Sequence, residues 1–484
     1  MMPVSHPSRA GNPRQQPAIS VPERCYAIVM RRDDREVLLF RHHHEHLELP
    51  TVEIPRNQRV APNLLPAIEK RLGLSVIARF TLAAADLELG ARCVVLEAIE
   101  DGNCGDKVLW TDVERIPWKA IGSAPVRIIL RGALEQMRQY SSGTVPARFV
   151  QPGWLAEVRS WVSDSLVPSG LRLQEVRSQY NMGPDYCLLQ FATNQHDVWF
   201  KAVGPGSRRE FAISRLLAEF QLPCVAPLLA VHEGWNAWLS LECHGIELDG
   251  NAGVDAWNSA ARGLARLQIA SIARSERLLA AGCQDLRTTS LEDSIEPFLS
   301  QLADLMEQQT ATAARRLTLT DLQIIEKRLR VACRDLNTMG LPDTLGHSDL
   351  NPGNVLVDGE QPVFLDWMEG HIGHPFLSLE YLLALNRRIA GGRGNGIEAL
   401  RSAYCSCWTY LFPDGEMDRS LKAVESLAPF AYALTCHDLR SGDSEVRPEL
   451  AALLRSLGRR MLAVAESSEK TVAPTLSGKA PSSI

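Results

Sequence analysis

The stretch Leu345–Trp367, LGHSDLNPGNVLVDGEQPVFLDW, constrains the fold of this 484-residue chain more than any other. Two short apolar runs, Val355–Val357 and Val363–Leu365, flank the turn-forming pair Asp358-Gly359, a pattern that predicts a β-hairpin. Such a hairpin brings Asn354, just before its first strand, beside Asp366, just after its second. His347 and Asp349 stand immediately upstream. Pro352 and Gly353 shape the loop between them, with Gly353 a position where the backbone can take φ > 0. The hairpin is thereby expected to set Asn354 and Asp366 side by side, as a shared metal site requires, with Asp349 five residues before Asn354.

Two carboxylates and an amide in that order suit phosphoryl transfer from a nucleoside triphosphate. One carboxylate orients the acceptor hydroxyl and takes its proton; the amide oxygen and the second carboxylate hold the magnesium ions that bridge the phosphates. The plainer alternative is that Asp and Asn stand here only because turns favour them. Their joint spacing between apolar strands, with a lysine-bearing strand upstream, argues against it.

Composition bounds the rest. Charged residues sum to 51 − 57 = −6, with 45% of the chain hydrophobic and 22% charged, the balance of a folded protein of two to four domains. The absence of a basic surplus argues against a nucleic-acid partner. No run approaches the roughly 20 apolar residues of a membrane span, and the start, MMPVSHPSRAGNPRQQP, lacks an apolar signal region. The 11 cysteines are scattered without a CxxC pair and read as small core residues of a reducing compartment. The expectation is a cytoplasmic protein without a membrane.

Along the chain, residues 1–22 read as a disordered lead. Tyr26–Met30 and Val37–Phe40 form a hairpin candidate, followed by a strand over Leu47–Ile54 and a helix over Asn63–Leu72 stopped by Gly73. Strands are expected at Val76–Leu82, Cys93–Ile99 and Val108–Trp110, and a helix over Val126–Tyr140 closes an α/β domain over 23–142. Residues 143–153 read as a linker. From Trp154, strands are expected over Leu171–Ser178, Cys187–Ala192, Asp197–Val203, Cys224–Val231 and Ala237–Glu242, with a helix at Arg208–Phe220. Beyond Gly250 long amphipathic helices dominate: Val254–Ala273, Ser290–Gln308, Leu319–Met339, Ser378–Ile389, Gly396–Leu411 and Met417–Leu439. Strands first and helices afterwards predict a two-lobed α+β domain, with lobes at 154–245 and 246–466 and a polar tail at 467–484.

His347–Asn354 followed by Leu365-Asp366-Trp367 resembles the catalytic and metal loops of the aminoglycoside phosphotransferases and choline-kinase-type enzymes, small-molecule kinases that share the protein-kinase fold. The likeness extends over roughly 170–460, where GHIGHPFLSLEYLL (Gly370–Leu383) is similar to the family's following helix start. It implies Asp349 as the catalytic base, Asn354 and Asp366 as Mg²⁺ ligands, and His347 as a brace of the loop. VWFKAV (Val198–Val203) resembles the strand bearing the nucleotide lysine, Lys201, whose apolar flanks independently suggest a buried, paired lysine. Glu210 is its implied partner, preferred to Glu219 because it opens the helix. Leu239–Gly245 would be the hinge whose backbone, at Glu242 and Cys243, meets adenine. Three departures stand out. Ser348 replaces a usual glycine, Ser378 replaces an aspartate that caps the next helix, and the turn YNMGPD (Tyr180–Asp185) has one glycine in place of GxGxxG.

The segment 37–74 resembles a Nudix fold, whose helix carries clustered metal-binding glutamates. Here Pro66-Ala67 and Lys70-Arg71 stand at those positions, so the resemblance implies a degenerate module without metal, used for binding or docking. His42, His43, His44 and His46 crowd the same segment. Neighbours on a strand face opposite ways, so they read as a polar turn rather than a metal site. The expected activity is transfer of the γ-phosphoryl group of ATP or GTP, with Mg²⁺, to a hydroxyl of a small molecule. The rival is a silent nucleotide-binding regulator, a pseudokinase joined to a pseudo-Nudix module. A polycationic acceptor would need a carboxylate-lined pocket, for which Glu292, Asp293, Glu296 and Asp304 are the candidates.

Overall fold

A computed structural model describes residues 22–41, 46–56, 58–82, 91–99, 108–142, 148–184, 186–310, 314–389, 396–412, 415–436 and 446–472. The lead before Pro22, His42, His43 and His44, the first part of the expected linker, Asp185, and the tail from 473 lie outside the described residues. Two compact units emerge, one of Met1–Ala218 with Ala226–Cys243, the other of Glu219–Val225 with His244–Ile484.

The first unit opens with a mixed sheet of β1 (Pro22–Arg31), β2 (Glu36–Arg41), β3 (Leu47–Glu48), β4 (Thr51–Pro55), β5 (Val76–Thr81), β6 (Ala91–Ala98) and β7 (Val108–Asp112). β1 is central: it runs parallel to β6 and antiparallel to β2 and β4. Successive side chains of a strand face opposite ways. Ile28 and Met30 therefore enter a core with α2 (Ala124–Ser141), while Ala27 and Val29 enter another with α1 (Val60–Leu72). Helix α1 begins three residues earlier than its apolar spacing suggested and stops, as expected, at Gly73. There φ is 64° and the amide donates to Glu69 O at 2.7 Å. The strand expected over Leu47–Ile54 is split into β3 and β4 around Pro50, which has no N–H to give a ladder.

A second, antiparallel sheet follows in the order β11-β12-β10-β9-β8, from β8 (Leu173–Asn181), β9 (Tyr186–Thr193), β10 (Val198–Val203), β11 (Leu228–His232) and β12 (Ala237–Leu241). Helix α3 (Trp154–Leu166) covers its core face, and α4 (Arg208–Glu219) follows β10. Residues 148–153 do not form a loose tether. Phe149 and Val150 are buried in a 3-10 turn, Val150 in the core beneath α2 and Phe149 against Trp154 and Phe200. Ile77 of β5 is buried in that same second core, so the two sheets share apolar packing.

The second unit is mostly helical: α5 (Val254–Ser271), α6 (Ser275–Ala280), α7 (Thr288–Glu307), α8 (Leu319–Met339), α9 (Phe376–Ile389), α10 (Ile397–Cys405), α11 (Glu416–Cys436) and α12 (Pro448–Val472). Two small sheets interrupt them. One has β13 (Ile246–Glu247), β16 (Val355–Asp358) and β17 (Gln361–Phe364); the other has β14 (Gln284–Leu286), β18 (Gly370–Gly373) and β15 (Thr344–His347). Helix α12 occupies residues expected in part to be tail, and buries Ala451, Leu454, Leu457, Met461 and Ala465 at helical spacing. No helix among the described residues is long and apolar enough to cross a membrane.

Candidate active site

The expected hairpin forms, with Val355 opposite Phe364 and Asp358 opposite Gln361. Leu365 N–H donates to Asn354 O at 2.9 Å, which closes the end of the ribbon and sets Asp366 next to Asn354 along the backbone. Asp366 sits at φ 63°, a left-handed conformation that only a few non-glycine residues tolerate, where the chain leaves β17. Gly353 takes no positive φ; it is exposed in the turn Pro352–Asn354, and a Cβ there would meet nothing within 4 Å.

His347 is buried and bridges the two loops. Its Nδ1 accepts the Asp349 amide at 3.1 Å, so Nε2 carries the proton that is donated to Leu365 O at 2.9 Å. Burial lowers its pKa, which keeps the ring neutral. Asp349 is half-buried. Asn351 Nδ2 donates to its Oδ1, and Asn354 Nδ2 donates to its Oδ2 at 3.0 Å and its backbone carbonyl at 2.9 Å. Burial raises the Asp349 pKa; His347 opposes that shift and the charge of Asp366 adds to it.

A buried layer supports these groups. Ser378 lies inside the first turn of α9 rather than at its cap, and its Oγ accepts the His347 amide at 2.9 Å. Ser348 Oγ lies 2.9 Å from His371 Nδ1, so the hydroxyl is used where glycine would have nothing to offer. Gly346 has a steric reason: a Cβ there would lie 2.7 Å from Ser378 Oγ and closer still to the His371 ring. Two neighbours escaped the reading of the sequence. Asn351 was inside the motif but unassigned, and Arg388, which donates to Asn351 Oδ1 at 3.0 Å from the end of α9, has no local signal.

The donor chemistry fits Mg²⁺, which prefers hard oxygens and is held by one or two protein groups plus phosphates. Asp366 supplies a carboxylate. Asn354 has its amide nitrogen fixed on Asp349, which turns its oxygen the other way. Among the described residues no cluster of three or more His, Cys, Asp or Glu is poised for a metal.

In the first unit, Lys201 lies on the half-buried face of β10, between the core residues Phe200 and Ala202. Its Nζ donates to Glu210 Oε1 and stands 5.6 Å from the centroid of Trp238. Glu210 is fully buried at the start of α4, while Glu219 pairs instead with Arg277 at 2.7 Å. Glu242 N–H donates to Asp197 O at 3.0 Å and its carboxylate accepts from Gln190 at 3.0 Å. The amide is thus committed to the sheet. Cys243 is half-buried, and burial pushes its thiol up.

Residues 203–413 match the model of the phosphotransferase enzyme family. The match to this phosphotransferase family includes Glu210, Glu242, Cys243, His347, Asp349, Asn354 and Asp366; Lys201 falls two residues before it. Among solved structures the chain is similar to macrolide 2'-phosphotransferase MphH from Brachybacterium faecium, with 17% identity over 63% of this chain and 98% of that one and a TM-score of 0.42. It is similar to ethanolamine kinase from Plasmodium vivax, with 13% identity over 68% and 93% and a TM-score of 0.42. Aminoglycoside phosphotransferase APH(2'')-Ib, bound to ADP, gives 14% identity over 63% and 98% and a TM-score of 0.42. No curated protein sequence matches the chain.

Proposed function

We propose that the chain is a phosphotransferase that moves the γ-phosphoryl group of ATP or GTP to a hydroxyl of a small molecule. The observation that carries this is the Asp349–Asn354–Asp366 cluster, in which one amide side chain is bonded to the first carboxylate while its backbone pairs with the residue before the second. Asp349 orients the acceptor hydroxyl and takes its proton as the acceptor oxygen bonds to the γ-phosphorus and the bond to the leaving diphosphate breaks. The raised Asp349 pKa makes it a better base than an ordinary surface carboxylate. Asn354 and Asp366 would hold Mg²⁺, which would supply positive charge against the phosphates. Lys201, anchored by Glu210, binds the α- and β-phosphates, and the backbone at Glu242 and Cys243 receives the base. His347 acts only as a brace.

The N-terminal α/β module takes the Nudix-like, degenerate role in this reading. Lys70 and Arg71 are exposed at the end of α1, and Arg71 donates to Thr51 O, so cations occupy the ground that metal-binding carboxylates would need. The protein works in the cytoplasm, without membrane or nucleic acid. Of the candidate carboxylates for a polycationic acceptor, Glu292 and Glu296 lie in the field of Arg330, which is itself paired with Glu326 at 2.9 Å.

The full chain would be incubated with Mg²⁺ and ATP or GTP against a pool of small hydroxyl compounds, and products read by mass spectrometry. A phosphorylated product is expected, with Asp349→Ala slower by about 10²–10⁴-fold and Asp366→Ala inactive. Nucleotide binding without any product would assign the chain as a silent nucleotide-binding regulator instead.

A further inference from the structure

Strand β5 lies at the edge of the N-terminal sheet, and an edge leaves backbone groups without a strand partner. At Ala78 both groups are met by one side chain from the second sheet. Ala78 N–H donates to Gln179 Oε1 at 2.8 Å, and Gln179 Nε2 donates to Ala78 O at 2.8 Å. Gln179 is 2% exposed, so neither bond has water to replace it.

The next three residues are held from the same side. The ladder between β8 and β9 is irregular here, with Gln179 opposite Leu189 and Asn181 opposite Leu188, which leaves Tyr180 as the extra residue of a bulge. The Tyr180 ring lies under the Arg59 guanidinium, 5.8 Å from its centroid, and edge-on to Trp199 at 4.9 Å. Arg59 Nη1 also donates to Asn181 Oδ1 at 3.0 Å, and Met182 packs on the core beneath α1. Arg59 stands immediately before the first turn of α1, and so is carried by the N-terminal fold itself. Four consecutive residues, Gln179–Met182, are thus gripped by the N-terminal module where β8 turns toward β9. Trp199 and Lys201 share one face of β10, two residues apart, so the grip reaches the strand of the paired lysine through Tyr180 and Trp199.

We propose that the N-terminal module positions the β8–β9 hairpin, with Gln179 and Arg59 as its positioning residues. A hairpin with a single glycine in its turn is held from outside by a second fold. Its consequence for nucleotide binding rests on the phosphotransferase reading, in which this hairpin covers the phosphates.

The test uses the full chain and compares wild type with Gln179→Leu, Arg59→Ala and Arg59→Lys. Hydrogen exchange read by mass spectrometry should rise about tenfold, the scale of one net hydrogen bond, at residues 180–184 and 186–189. Exchange in β15–β18 should not change. Affinity for Mg²⁺·ATP should weaken about five- to tenfold, with kcat at saturation within about twofold, and Arg59→Lys should recover most of the loss. The Arg59 side chain is exposed, so Arg59→Ala reads the grip even where Gln179→Leu fails to fold. Unchanged hairpin exchange in Arg59→Ala, or a rise spread equally through the second unit, overturns the proposal. A wild-type chain that binds no nucleotide would sink the phosphotransferase reading alone, since the exchange measurement still decides the positioning.

Discussion

The histidines around the Leu345–Trp367 stretch are buried, which favours their neutral form. Burial lowers the pKa of both His371 and His374 from 6.5 to about 3. Between those values the unfolded chain takes up a proton that the folded chain refuses. The unfolded state then binds more protons, and stability falls as pH falls through the window. Asp343 acts oppositely, because burial raises its pKa from 3.8 to about 6 and its folded form protonates first. Subtracting one histidine isolates its share. His374→Gln is expected to lose less stability than wild type between pH 6 and pH 4, by up to about 1.4 kcal/mol per pH unit. Urea denaturation of both proteins at several pH values checks this, and parallel pH profiles would show that His374 titrates alike folded and unfolded.

Individual elements are set by signals of different reach. The β16–β17 hairpin was legible because Asp358-Gly359 marks a turn and apolar residues bound it; Gly359 indeed adopts φ 54°. Strand β14 and helix α6 were not, because three and six residues carry too little periodicity. Helix α3 does carry a local signal, since Trp154, Leu155, Val158, Val162 and Leu166 fall on one helical face. The pairing of β15 with β18 depends on a missing side chain. Gly346→Ala would press a methyl into the His371 ring and into Ser378, whose Oγ accepts the His347 amide. It is expected to cost about 1–3 kcal/mol, as overpacking does, and to lower kcat through displacement of His347. Chemical denaturation and steady-state rates test this; a variant as stable and as fast as wild type would show that the backbone has room.

For the molecule as a whole, the N-terminal module is joined to the second sheet by packing as well as by chain. Ile77 is buried in the core that holds Phe149, Trp154, Leu189 and Phe200, and Arg79 donates to Val150 O at 2.7 Å while pairing with Asp34. Gly153, which opens α3, donates its amide to Glu97 Oε1 at 2.7 Å. Removing residues 1–147 would strip Ile77 from that core and take away both hydrogen bonds between Gln179 and Ala78. The truncated chain is expected to aggregate or expose apolar surface, visible as dye binding and loss of soluble yield. A truncated chain with the full chain's solubility and denaturation midpoint would show two independent folds.

The spacing of Asp349, Asn354 and Asp366, the hairpin between them and the apolar strand around Lys201 were determined by the sequence alone. Each rests on neighbours within a few residues, where turn chemistry and strand alternation write directly into composition. Other features belong to the tertiary structure. Ser378 finds the His347 amide across 31 residues, Arg388 finds Asn351 across 37, and Gln179 finds Ala78 across 101. A serine, an arginine or a glutamine has many possible partners, and only the folded backbone selects one. The physical reason is that local propensity acts along the chain, whereas hydrogen-bond satisfaction of a buried group is decided by whatever the fold brings beside it.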